Sequence, residues 1–276
     1  MSHDANSLEP YRGTDCSLQS APSSAVSPAD DTSPIVRGAT PPHCIDRGAY
    51  EIKFLLSEPQ SQVVREWART HLLPDPHSTA ETGFGYAVNS LYLDTPQFDV
   101  FHRSERYRQR KFRIRRYGSE AVVWLELKRK MNGRVQKRRT PIAEGNLEAN
   151  LMSLADPHWE GNWFRRRVND WGLRPVCQVS YERFACVGTS LYGPIRLTID
   201  SQLSCLPAAG WTVPAQQPAA GLLLPNQHIL ELKFRETIPN SFRDLIGALR
   251  LDLATFSKYR QSVEACVALE RLMGDA

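Results

Sequence analysis

The chain has 276 residues, 41% of them apolar, which suffices for one large domain or two small ones with a sizeable core. No apolar run approaches the length of a membrane span, the N-terminus is acidic and Ser/Pro-rich, and the six scattered cysteines (16, 44, 177, 186, 205 and 266) contain no C-x-x-C pair; a spanning helix, a secretory leader, a zinc site and a disulfide framework are therefore not expected, and a cytoplasmic protein with reduced thiols is. The formal charge of +4 conceals an asymmetry, because residues 103–139 hold fifteen Lys or Arg against three Glu; this local +12 points to an anionic partner.

In chain order, residues 1–46 carry six prolines and few large apolar residues, so a disordered tail is expected there. From Arg47 the alternation of Tyr50, Ile52, Phe54 and Leu56 with Glu51, Lys53 and Leu55 predicts a strand. Pro59 opens a helix with Val63, Val64, Trp67 and Leu72, ending near Pro74. Residues 86–94 read as a strand, followed by a turn or short helix at Pro96. Strands over 109–117 and 121–130 are joined by Gly118-Ser119, and Asn132-Gly133 turns the chain into a further strand through Thr140. Residues 143–172 read as helix broken around Asp156-Pro157. Strands follow over 176–187 and 195–203, then a surface insertion or long hairpin loop over 204–226, a strand over 228–235, and helices over 240–249 and 257–273. This gives about eight strands in a largely antiparallel α+β plan.

Residues two apart share a strand face. Glu51-Ile52-Lys53, Glu126-Leu127-Lys128 and Glu231-Leu232-Lys233 thus each aim a carboxylate and an ammonium the same way, Arg113 and Arg115 aim two guanidiniums, and Arg196, Thr198 and Asp200 form a polar row. On a flat sheet these faces meet water and make weak cross-strand ion pairs. On a closed barrel they line the interior while the opposite apolar faces meet helices. A converging cationic wall needs an anion, and phosphate chains suit it: Arg forks bind non-bridging oxygens, Lys supplies point charges, and carboxylates hold a divalent metal. No glycine-rich nucleotide loop is present. Nucleic acid is the rival polyanion, since Tyr107, Phe112 and Tyr117 interleave the basic run, but glutamates among the basic residues speak against it. The histidines have no recurring spacing, and the six tryptophans read as packing.

The blocks YEIKF (50–54), SLYLDT (90–95), KFRIRRYG (111–118), WLELKRK (124–130), KRRTPI (137–142), VSYERFAC (179–186), IRLTID (195–200), ILELKF (229–234) and FSKYRQSV (256–263) resemble, in family order, the VTC-type polyphosphate polymerase domain. That family is a branch of the triphosphate tunnel metalloenzymes related to the CYTH proteins. The resemblance implies a tunnel domain over residues 47–276, built as a closed antiparallel eight-stranded β-barrel with peripheral helices. It also implies that Lys53, Arg113, Arg115, Lys128 and Lys258 act on the reacting phosphates, with Lys137, Arg183, Arg196 and Lys233 binding phosphate. Glu231 matches the family's metal-binding glutamate, with Glu126, Glu51 and Asp200 as helpers for Mn²⁺ or Mg²⁺. The implied reaction moves the γ-phosphate of ATP onto a growing polyphosphate chain. An inorganic or nucleoside triphosphatase and a non-catalytic polyphosphate or nucleic-acid binder are the alternatives. Two departures stand out: Ala49 occupies the place of the first Glu in the hydrolases' E-x-E-x-K, and the SPX domain and membrane helices of eukaryotic complexes are not found, so a membrane partner protein is one expectation.

Overall fold

The computed structural model describes residues 48–78, 83–152, 156–216 and 221–274, with side chains to residue 267. The tail expected over residues 1–46, with Cys16 and Cys44, lies outside the described residues. Strands β1 (Ala49–Ser57), β3 (Gly85–Asp94), β4 (Arg110–Tyr117), β5 (Val122–Met131), β6 (Arg134–Ala143), β7 (Arg174–Ser190), β8 (Gly193–Pro207) and β9 (Gln227–Phe234) form one antiparallel sheet. Its order is β7-β3-β4-β5-β6-β1-β9-β8, and β8 pairs back on β7, so eight strands close a ring. A two-residue strand, β2 (Leu73–Pro74), adds to β7 outside the ring.

Local sequence fixes the corners. Ser57 caps helix α1 (Glu58–His71) in a reciprocal box with Gln60, whose side chain accepts from the Ser57 N–H at 2.9 Å. At the β5–β6 turn Asn132 and Gly133 both take positive φ (48° and 76°), the conformation an Asn-Gly pair tolerates best. β7 and β8 run to 17 and 15 residues, longer than the alternation predicts, because β7 must pair with both β3 and β8 to close the ring.

Most of the outward face is apolar and covered by helices. Phe54, Leu56, Leu197, Leu230 and Leu232 pack under α1 and α5 (Asn240–Ala248), which contribute Val64, Ala68, Phe242 and Leu245. Leu91, Phe112, Ile114 and Leu125 pack under α3 (Leu147–Met152) and α4 (Asn162–Trp171) through Leu151, Trp163, Phe164 and Val168. Each fully buried side chain of this size stabilises the fold by roughly 2 kcal/mol. The long segment after β8 is not a free surface loop: Val213 is fully buried, its carbonyl accepts from Arg116, and Trp211, Leu223 and Leu224 join the core. A short helix, α2 (Asp99–His102), follows β3, as Pro96 suggested.

Helix α6 (Lys258–Gly274) enters one end of the ring. There the inward residues change from charged to apolar, and Cys177, Val179, Leu203, Cys205 and Ile229 pack against Tyr259, Val263 and Cys266 of the helix. Tyr259 stacks on Tyr92 with centroids 5.2 Å apart and donates its hydroxyl proton to Asp94. Asp94 also accepts the Thr95, Val100 and Phe101 N–H groups, so one buried carboxylate ties the end of β3, α2 and α6 together.

Candidate functional site

The i, i+2 pattern delivers the charged side chains to the ring interior, and the antiparallel registers set them opposite one another. Lys53 faces Glu231 and Glu51 faces Lys233 across β1 and β9, Arg113 faces Glu126 across β4 and β5, and Arg183 faces Asp200 across β7 and β8. Lys53 Nζ lies 2.8 Å from Glu51 and 2.6 Å from Glu231. Lys128 donates to both Glu51 oxygens at 2.9 and 3.0 Å, and Lys233 reaches Glu51 and Glu231 at 3.5 Å each. Lys258, delivered by α6, bonds Asp200 at 2.6 Å and Glu231 at 3.4 Å. Arg183 grips Asp200 with two 2.7 Å bonds. Arg113 and Lys137 share Glu126 at 2.7 and 3.4 Å.

Lys53, Arg113, Arg115, Lys128, Arg183, Lys233, Lys258 and Glu231 therefore line one cavity, with Glu51, Glu126 and Asp200 behind them as counter-ions. Two phosphate-site expectations lie at its margin. Lys137 is exposed apart from its link to Glu126, and Arg196 is held by Asp75 at 2.9 Å and by the Tyr86 hydroxyl at 3.0 Å.

The cavity also contains residues the sequence reading passed over. Lys111 lies two places before Arg113 on the same strand face and donates to Ser257 at 2.9 Å. Tyr92 bonds Arg113 at 3.3 Å, and Tyr181 has Arg115, Arg183 and Lys258 over its ring. The strand period was signal enough for Lys111; the tyrosines look like core in sequence and are core by burial.

Charge balance is uneven along this wall. Burial works against the Lys53 ammonium, yet Glu231 and Glu51 outweigh it and raise its pKa; Lys258 is likewise raised by Asp200 and Glu231. Burial also opposes the charge on Glu231, Asp200 and Glu126, but their cationic partners hold all three below the ordinary carboxylate range. Lys233 is brought down to about 8 by burial, against the pull of Glu51 and Glu231. Lys111 falls well below the ordinary lysine value, through burial first and then Lys128, Lys53 and Arg113. Neither Lys111 nor Arg115 forms an ion pair with a carboxylate among the described residues: Lys111 bonds Ser257, and Arg115, 3% exposed, bonds Ser90 at 2.9 Å.

The model of the VTC domain family matches residues 48–267. The chain belongs to the VTC domain family. No curated protein sequence matches it. Among solved structures, a candidate adenylate cyclase from Bacillus halodurans is similar over 76% of this chain and 93% of its own, at 14% identity and a TM-score of 0.45. A candidate adenylyl cyclase from Hippeastrum with a dominant triphosphatase activity is similar over 79% and 96%, at 17% identity and a TM-score of 0.45. A candidate adenylate cyclase from Vibrio parahaemolyticus covers 78% and 98%, at 9% identity and a TM-score of 0.42. No helix among the described residues of this VTC domain is long and apolar enough to cross a membrane.

Glu51 and Glu231 converge on Lys53, and Glu231 and Asp200 converge on Lys258. Directly opposite Glu231 on β8, the Thr198 hydroxyl is buried without a hydrogen-bond partner among the described residues. No set of three His, Cys, Asp or Glu side chains makes a protein-only cage among the described residues. The donors fit a hard cation held by one or two carboxylates and completed by phosphate oxygens, as Mg²⁺ and Mn²⁺ are in phosphoryl-transfer sites. Glu126 shares no cation with the others, because Arg113 and Lys137 hold it.

Proposed function

We propose that this VTC domain is a metal-dependent polyphosphate polymerase that transfers the γ-phosphate of ATP to a growing polyphosphate chain inside the ring. The observation that carries the reading is that Arg115 and Lys111 form no ion pair among the described residues, on one wall with ion-paired Lys53, Arg113, Lys128 and Lys233. A buried guanidinium in contact with no carboxylate is a ready partner for a phosphate oxyanion.

On this reading Arg113 and Arg115, two residues apart on β4, fork onto the non-bridging oxygens of the transferring phosphate, while Lys53, Lys128 and Lys258 neutralise charge that builds on them. Lys137, Arg183, Arg196 and Lys233 hold neighbouring phosphates in line. Glu231, with Glu51 or Asp200 beside it, would hold Mn²⁺ or Mg²⁺, which when bound would supply positive charge to offset that of the phosphates. Ala49, at the place of a hydrolase glutamate, leaves one carboxylate fewer to activate water. A triphosphatase is the second reading, favoured by α6, which fills one end of the interior and suits a short substrate.

Incubating the purified chain with ATP and Mn²⁺ or Mg²⁺ separates these readings. Polymer on a polyphosphate-stained gel together with ADP supports the polymerase. Free phosphate without polymer supports the triphosphatase, and silence in both assays leaves a binding protein. Lys53→Ala and Arg115→Ala are expected to abolish turnover while the circular dichroism spectrum stays that of the folded protein; full activity in both variants would sink the proposal.

A further inference from the structure

A second cationic surface lies outside the ring, on the reverse face of the strands that present Arg113, Glu126 and Lys137 inward. Arg110 of β4 stands directly opposite Arg129 of β5, and Arg138 of β6 stands opposite Leu127. α4 covers this face with Trp163 and Trp171. Guanidiniums rest on both indoles: Arg138 and Arg167 lie 4.5 and 5.5 Å from the Trp163 ring, and Arg106 and Arg110 lie 4.4 and 5.7 Å from the Trp171 ring. Arg106, Arg138 and Arg166 are exposed, and Arg110, Arg129 and Arg167 are half-buried.

None of these six arginines forms an ion pair among the described residues; Arg129 bonds the Gln136 side chain and Arg167 the Trp163 carbonyl. Arg167 is held below its ordinary pKa by burial and then by Arg138, Arg110, Arg166 and Arg129, so the cluster repels itself. Like charges set directly opposite on neighbouring strands destabilise a sheet, and an anion reverses the sign. The indole faces already carry guanidiniums and Trp163 is only 8% exposed, so they offer no platform on which nucleic-acid bases could stack. Arginine forks match the oxygens of a phosphate chain that has no bases.

We propose that this outer face binds the body of a long inorganic polyphosphate chain, at a site separate from the ring interior. The choice of polyphosphate rests on the phosphate reading of the interior. The test is metal-free and ATP-free equilibrium binding of long-chain polyphosphate and of tripolyphosphate to the full chain. The variant Arg110→Gln/Arg138→Gln/Arg167→Gln is expected to lose about tenfold in long-chain affinity, with the slope of log affinity against log salt reduced by about two and tripolyphosphate affinity unchanged. Arg138→Gln/Arg166→Gln, both at exposed positions, is expected to lose about threefold and keeps the test decisive if the triple variant fails to fold. Unchanged long-chain affinity in a folded variant would overturn the outer site and leave the interior reading intact. A wild-type chain that binds long polyphosphate but not tripolyphosphate would overturn the interior reading and leave the outer site standing. Single-stranded DNA of matched charge displacing polyphosphate at lower concentration would show the ligand to be nucleic acid and overturn the proposal.

Discussion

Lys233 carries the clearest pH signature in the ring, since its pKa of about 8 lies below the value of about 10.4 for a free lysine. The folded protein therefore sheds this proton before the unfolded chain does. The penalty of burying the charge is fully present below pH 8, and stability rises as pH climbs from 8 toward 10. A bound phosphate acts in the opposite direction by favouring the ammonium, so binding near pH 8 takes up a proton. Tripolyphosphate affinity should fall by up to about tenfold per pH unit above 8, and Lys233→Arg should flatten that slope in calorimetry. An unchanged slope would assign the proton to another group. Glu231→Gln probes a different quantity. With one negative charge fewer beside Lys53 and Lys258, metal-free tripolyphosphate binding should be no weaker, while metal-dependent turnover drops roughly 10²-fold or more. Weaker metal-free binding would mean that Glu231 serves mainly to position the lysines. Most of these residues were legible in the sequence because a strand has a strict period of two. Asp75, which holds Arg196, was not, because it lies outside the ring strands in the segment after β2.

At the scale of elements, the strand and helix order followed from alternation, capping and turn residues, whereas lengths and docking did not. The extra residues of β7 and β8 come from pairing that joins distant segments, and no local pattern encodes it. The segment after β8 reads as loop because of its prolines, yet it supplies Val213 to the core and an acceptor for Arg116. The docking of α6 was equally hidden, since Tyr259 and Asp94 are 165 residues apart in sequence. Tyr259→Phe removes a hydrogen bond to a buried carboxylate and should cost about 1.5–3 kcal/mol in urea unfolding. Amide exchange should quicken in α6 but not in β4 or β5. Wild-type stability in that variant would show that apolar packing alone seats the helix.

For the whole molecule, the interior pairs an apolar end, filled by α6, with a charged stretch held together by ion pairs. Glu51, Glu126, Asp200 and Glu231 all have lowered pKa values: burial opposes their charge, and neighbouring cations more than compensate. Their contribution to stability is complete above the unfolded carboxylate values of about 4 and is lost as pH falls through the lower folded ones. Urea midpoints should therefore hold between pH 5 and 7 and fall steeply below about pH 4. A flat profile down to pH 3 would mean that the cations do not depend on these carboxylates. The closing seam of the ring has its own consequence. β1 makes its long pairing with β9, from Tyr50↔Phe234 to Ser57↔Gln227, and only two residue pairs with β6. During synthesis the first strand of the ring emerges long before its main partner, and its backbone stays open to other chains until residues 227–234 leave the ribosome. The native ring offers neighbouring molecules almost no strand edge, so the hazard of aggregation belongs to the nascent chain.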